Sequence, residues 1–320
     1  MIVDTLIEKI IEKQNPTCVG LDTALEYLPP DMQNELNAIS KNANKSALAD
    51  ARFYHLASQL VYKFNCGIID KIADIVPAVK VQIAYYEELG HAGVMAFEKT
   101  IKYAKKMGMI VITDAKRNDI GATATRYANA FIGRNYETDI IFPRADFPSD
   151  FLTVNGYLGS DGITPFVEQC QKHDKGIFVL VKTSNPSSGE LQNLKLEDGR
   201  TVYECMGDMV ERWGEGTVGK YGYSCVGAVV GATYPEEAKV LRARLPHTFF
   251  LVPGYGAQGA NAEMLKNCFD ANGLGGVVNN SRGVLCAYQK RGGTYDEAAR
   301  AACLDMRADL QNVLGAICAK

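Results

Sequence analysis

The densest concentration of groups able to do chemistry is Asp114-Ala115-Lys116-Arg117-Asn118-Asp119, directly after the apolar run MIVIT. Side chains alternate with period two on an extended chain, so the spacing predicts Asp114 and Lys116 on one face, with Asp119 just beyond in the loop. A carboxylate and an ammonium facing one pocket can act on a bound group through charge and proton transfer. Lys80 stands in PAVKVQIA, an otherwise apolar strand where a lysine is rarely buried without a partner. Lys80, Asp114, Lys116 and Asp119 together compose an array of two cations and two anions. Its neutrality eases the desolvation of each member. Taken alone, DxKxxD also reads as a solvated cap on a strand, and Lys80 as half of a structural ion pair.

A second constellation lies near the C-terminus. Val252-Pro253-Gly254-Tyr255-Gly256-Ala257-Gln258-Gly259 satisfies GxGxxG, but a dinucleotide site needs an acidic residue about twenty positions on, and after Asp270 the next acid is Asp296. A glycine-rich loop followed by Asn279-Asn280-Ser281-Arg282-Gly283 matches instead a phosphate site, with Gln258, Arg282 and backbone N–H groups as ligands. Asp22, which ends CVGLD, reads by itself as a helix N-cap, and Thr183-Ser184-Asn185-Pro186 as an ordinary turn. The four histidines show no metal-ligand spacing, and no metal site is expected.

The elements that must position these residues follow from hydrophobic pattern. Eight short apolar runs recur: Cys18–Asp22, Ala78–Gln82, Met109–Asp114, Phe151–Asn155, Ile177–Thr183, Val226–Thr233, Phe249–Pro253 and Gly276–Asn280. Segments of helical periodicity separate most of them, including Phe64–Ile75, Tyr85–Met107 and Pro235–Leu245. Alternation of strand and helix predicts parallel βαβ units and, with eight of them, a closed (β/α)8 TIM barrel. In a barrel the strand ends converge on one face, and most runs end in or near Asp22, Lys80, Asp114, Thr183-Ser184, Gln258 or Arg282. The longest interruption, about 185–224, follows the fifth run and reads as an insertion with a small hairpin turning at Asp198-Gly199. Residues 1–320 are expected to form a single barrel domain.

Composition narrows the function classes. With 34 basic and 37 acidic residues and a net charge of -3, the chain lacks a polybasic footprint for nucleic acid or membrane surfaces. Hydrophobic residues at 47% suit a globular protein with a large core. MIVDTLIEKIIEK is an amphipathic helix rather than a signal peptide, and no apolar run approaches a membrane span. Nine cysteines without a CxxC motif suggest free thiols and a cytoplasmic location.

GLD at Asp22, PAVKVQIAYYE, ITDAKRNDIGATA, TVNGYLGSDGITPF, VKTSNPSS, VPGYGAQG and NNSRG resemble the orotidine 5'-phosphate decarboxylase family over almost the whole chain. Length and the interruption after the fifth strand resemble its longer bacterial subgroup, itself similar to the apicomplexan enzymes. DxKxxD alone is shared with sugar-phosphate decarboxylases and aldolases; its combination with the strand-two lysine and the PGxGAQG and SRG loops is specific. The resemblance implies decarboxylation of orotidine 5'-monophosphate (OMP) to uridine 5'-monophosphate (UMP) and CO2, without a cofactor, in a homodimer with shared active sites. It implies Lys116 as proton donor to C6, Asp114 beside the substrate carboxylate and Lys80 as its charge partner. Asp119 and Thr123 would come from the neighbouring subunit. It assigns Asp22 to a ribose hydroxyl, Ser184 to the pyrimidine, and Gln258 and Arg282 to the phosphate. Gln82 stands where some relatives carry Asn, and its role is open. A magnesium-dependent sugar-phosphate lyase, a Schiff-base aldolase and a non-catalytic nucleotide-binding barrel are the competing readings.

Overall fold

The computed structural model describes residues 1–42, 47–133, 147–256 and 259–318. Eight strands follow one another around a closed barrel: β1 (Thr17–Gly20), β2 (Ala78–Gln82), β3 (Ile110–Arg117), β4 (Phe151–Val154), β5 (Gly176–Lys182), β6 (Ser224–Val230), β7 (Thr248–Pro253) and β8 (Gly276–Asn280). All neighbours are parallel, and closure is made by β8 against β1 with Thr17 opposite Val278. Each of the eight apolar runs is a strand, with ends displaced by a few residues. The chain therefore folds as a (β/α)8 TIM barrel.

Parallel strands covered by helices are buried on both faces and read as continuous apolar stretches. β6 is buried throughout, and β2, β5 and β7 nearly so. Inside the wall, Phe151 of β4 stacks on Phe178 of β5 with ring centroids 5.1 Å apart. The amphipathic N-terminal helix, Ile2–Lys13, buries Ile2, Val3, Leu6, Ile7 and Ile10.

The helical segments depart from the sequence expectation in length. The helix expected over Phe64–Ile75 spans Ala47–Ile72. The one expected over Tyr85–Met107 is broken into Ala84–Glu87 and Gly90–Lys106, with Gly90 at φ +63° turning the chain between them. Between β5 and β6 the expected turn at Asp198-Gly199 is present, closed by an antiparallel bridge between Lys195 and Thr201. The same interval contains the regular helix Val202–Trp213, whose Thr201 and Glu204 form a reciprocal capping box. The interval 185–224 thus includes, at Val202–Trp213, the helix that a βα unit requires.

Candidate active site

Asp114 lies at the centre of the constellation. Its Oδ1 receives Lys116 Nζ at 2.6 Å and Thr153 Oγ1 at 2.8 Å, while its Oδ2 receives Lys80 Nζ at 3.1 Å. Lys80 also donates to Asp22 Oδ1 at 3.0 Å, and Asp22 Oδ2 accepts from Ser281 Oγ at 2.7 Å. The chain of contacts from Ser281 through Asp22, Lys80 and Asp114 to Lys116 crosses the strand ends of β8, β1, β2 and β3. Gly20 makes the first contact possible, because a Cβ there would stand 1.9 Å from Ser281 Oγ.

Lys116 reaches Asp114 by a different backbone route from simple strand alternation. It sits at φ +46°, and the β3–β4 register shifts between Thr113 and Arg117. A non-glycine residue in the left-handed region carries strain that its surroundings must offset. Here Thr153 Oγ1 does so by accepting the backbone N–H groups of both Ala115 and Lys116, each at 3.0 Å, while donating to Asp114. Thr153 and Ser281 were missed by sequence reasoning. Their signal was positional: both stand within two residues of a strand end facing the charged cluster.

Electrostatics keep the cluster ionised. Burial pushes the Asp114 carboxyl up, but the ammonium groups of Lys80 and Lys116, with hydrogen bonds from Lys116 and Thr153, outweigh it and hold the group well below the usual carboxylate range. Burial likewise opposes the Lys80 ammonium, yet Asp22 and Asp114 hold it above its ordinary value. Lys80 is only 4% exposed, whereas the Lys116 side chain is 47% exposed and faces the opening. An inner cation therefore fixes the carboxylates, and an outer one is accessible to a ligand.

The array opens into a cavity of about 780 Å³. Asp22, Lys80, Asp114, Lys116 and Thr153 line one part of it, Thr183 to Pro186 another, and Pro253, Gly254, Tyr255 and Arg282 a third. A concavity of about 820 Å³ beside Tyr54, His55 and His91 is slightly larger but holds no comparable charge cluster. Of the residues singled out from sequence, Asp22, Lys80, Asp114, Lys116, Ser184 and Arg282 come together in the cavity. Gln258 lies outside the described residues. Asp119 and Thr123 are not in the cavity wall: the Asp119 carboxylate accepts the Ile120 N–H at 2.8 Å, and Thr123 is exposed on the following helix. Asp22, rather than Asp119, supplies the second carboxylate of the array within one chain. Among the described residues no group of three or more His, Cys, Asp or Glu is placed to hold a metal ion, and no helix is long and apolar enough to cross a membrane.

Fold and site define a (β/α)8-barrel enzyme acting at the C-terminal strand ends, with a charge array at one part of the cavity and an arginine loop at another. The profile of the "Orotidine 5'-phosphate decarboxylase / HUMPS family" matches residues 18–318. The chain is 42% identical over 309 residues to orotidine 5'-phosphate decarboxylase of Rhodopirellula baltica, covering 94% of this chain and 96% of the relative. It is similar to Leishmania donovani OMP decarboxylase with a TM-score of 0.70 and 29% identity over 97% of this chain and 98% of that one. Plasmodium berghei orotidine 5'-monophosphate decarboxylase shares the fold, with a TM-score of 0.73 and 20% identity over 97% of this chain and 98% of that one. The chain belongs to the orotidine 5'-phosphate decarboxylase / HUMPS family.

The depressed Asp114 carboxyl has a consequence for stability. A group whose folded value lies below its unfolded value stabilises the fold above about pH 4 and loses that contribution as the pH falls. Asp114→Asn should be less stable than wild type at pH 7, by about 3 kcal/mol. Urea unfolding at descending pH should show this gap narrowing below about pH 4. A gap independent of pH would show that the carboxylate is not held ionised by its neighbours.

Proposed function

We propose that Lys80, Asp114 and Lys116 carry out the decarboxylation of OMP by charge placement and proton delivery. The chain is a carboxy-lyase that converts OMP to UMP and CO2, the last step of de novo pyrimidine synthesis. Breaking the bond from C6 to the carboxylate leaves the electron pair on C6, while the carboxylate departs as CO2. The pyrimidine offers that pair no delocalised sink, so stabilisation has to come from fixed charge around the carbon. The Lys116 ammonium is the accessible cation of the array, and it stabilises the developing carbanion and then transfers its proton to C6. Asp114 sits beside the departing carboxylate and keeps Lys116 charged and aimed. Lys80 holds Asp114 and Asp22 in place, leaving Asp22 to bind a ribose hydroxyl.

One ammonium does not supply the whole effect. Two unit charges about 4 Å apart at an effective dielectric of about 20 interact by about 4 kcal/mol, against about 8 to 23 kcal/mol for typical enzymatic acceleration. The remainder comes from binding the parts of the substrate that do not react. Arg282 and the loop at Gly254, with Gln258, take the phosphate, and Ser184 takes the pyrimidine. In this reading no cofactor takes part, and the enzyme is cytoplasmic, with the whole chain working as one barrel domain. The observation that supports it best is the open ammonium of Lys116 on a carboxylate already clamped from behind by Lys80.

The reading also makes the active unit a homodimer. Asp119 and Thr123 stand outside their own chain's cavity, on the loop and helix after β3, and serve the partner's site.

Lys116→Ala should lose at least about a thousand-fold in kcat while still binding UMP. Steady-state kinetics with calorimetric titration of UMP checks this, and near wild-type turnover would overturn the assignment. Mixing Lys116→Ala with Asp119→Ala, each inactive alone, should restore about a quarter of wild-type activity, because half of randomly paired dimers regain one intact site. No recovery after subunit exchange would refute the shared site.

A further inference from the structure

Lys182 is a fully buried lysine at the end of β5 that the reaction does not use. The β5–β6 register shifts between Leu180 and Lys182, and Leu180 lines the cavity while Lys182 meets Tyr203 on the helix beyond the barrel wall. Among the described residues no carboxylate pairs with it, and the groups it meets are neutral. Its Nζ donates to Asn193 Oδ1 at 2.7 Å and to Ser188 Oγ at 3.4 Å. It also lies 4.4 Å from the ring centroid of Tyr234 and 5.4 Å from that of Tyr203. A buried ammonium persists only where such partners replace its water.

These partners converge on one segment. Ser188 and Asn193 belong to the stretch that follows Lys182, and the Tyr234 hydroxyl donates to the Asn185 carbonyl at 3.3 Å. Gln192 clamps Thr183 twice, accepting its backbone N–H at 3.0 Å and donating to its hydroxyl at 2.8 Å. Thr233 Oγ1 donates to the Ser184 carbonyl at 3.3 Å, and Gly231 leaves room for Ser184, whose backbone nitrogen would lie 2.8 Å from a Cβ at that position. Lys182 thus touches groups that adjoin the contacts holding the Thr183–Pro186 rim: Asn193 follows the Gln192 that clamps Thr183, and Tyr234 holds Asn185.

We infer that Lys182 is a positioning residue that sets recognition of the pyrimidine by holding the Thr183–Pro186 rim in register with the cavity. This rests on the reading of the chain as an OMP decarboxylase whose Ser184 meets the base. The phosphate loop at Gly254 and Arg282 belongs to β7 and β8 and meets the chain after β6 through the backbone bond from the Ala232 N–H to the Pro253 carbonyl at 2.9 Å, which does not involve Lys182. Loss of Lys182 therefore separates base recognition from phosphate recognition.

Lys182→Met keeps the length of the side chain and removes its charge and donors. Dissociation constants for UMP and for ribose 5-phosphate are measured on wild type and variant, together with kcat and KM for OMP. UMP should weaken about ten-fold or more, with KM rising in parallel. Ribose 5-phosphate should change less than about two-fold, and Lys182→Arg should recover part of the loss. Asn193→Ala, at an exposed position, gives the same selective weakening on a smaller scale and decides the matter if Lys182→Met does not fold. Equal weakening of both ligands, or unchanged UMP binding in a folded variant, would overturn the inference while wild-type turnover leaves the decarboxylase reading standing. A wild-type chain that does not turn over OMP would remove that reading and this inference with it.

Discussion

The Asp114 carboxylate, held ionised between two ammonium groups, is the interaction on which the site depends. One of its oxygens faces the buried Lys80 in the cavity lining and the other faces Lys116 at the opening, at 3.1 and 2.6 Å. In a buried setting either charge alone would be unfavourable, and the pairing makes the cluster tolerable to the fold. The barrel supplies the geometry because the ends of β8, β1, β2 and β3 are neighbours, so four sequence-distant side chains need only short reaches. The left-handed kink at Lys116, backed by Thr153, aims an otherwise flexible ammonium at one point.

A site built in this way divides its labour by strand. β1 to β4 hold the charges, the chain after β5 forms a rim bearing Ser184, and β7 with β8 carries the glycine-rich loop and Arg282. The rim makes no contribution to the charge array, and the arginine loop touches it only through Ser281, which donates to Asp22, yet both border the same cavity. Binding free energy collected at the periphery can then be used to hold the reacting group against Asp114, which is how remote contacts raise a rate rather than only an affinity.

The barrel was legible because parallel strands buried on both faces leave apolar runs, and each of the eight runs proved to be a strand. Lys80, Asp114 and Lys116 were legible because charged residues at apolar strand ends have few structural roles. What escaped was tertiary in origin. The bulge that turns Lys116 depends on Thr153 from the next strand, and the placement of Asp22 depends on Ser281 from the last. A threonine and a serine carry no distinctive spacing of their own. Asp119 is close in sequence to Asp114 and Lys116 but does not line its own chain's cavity, where Asp22 supplies the second carboxylate, because a single chain's sequence does not say which subunit's site a loop residue faces. The break near Gly90 was hidden because the hydrophobic period continues through it.

The most direct test of the central claim is the ultraviolet time course of OMP with purified protein, with a metal chelator present throughout. Charge placement by the chain's own side chains predicts complete loss of the OMP absorbance, with one UMP and one CO2 formed per OMP consumed. No conversion in chelator, restored by added magnesium, would contradict it and assign the stabilising charge to a metal.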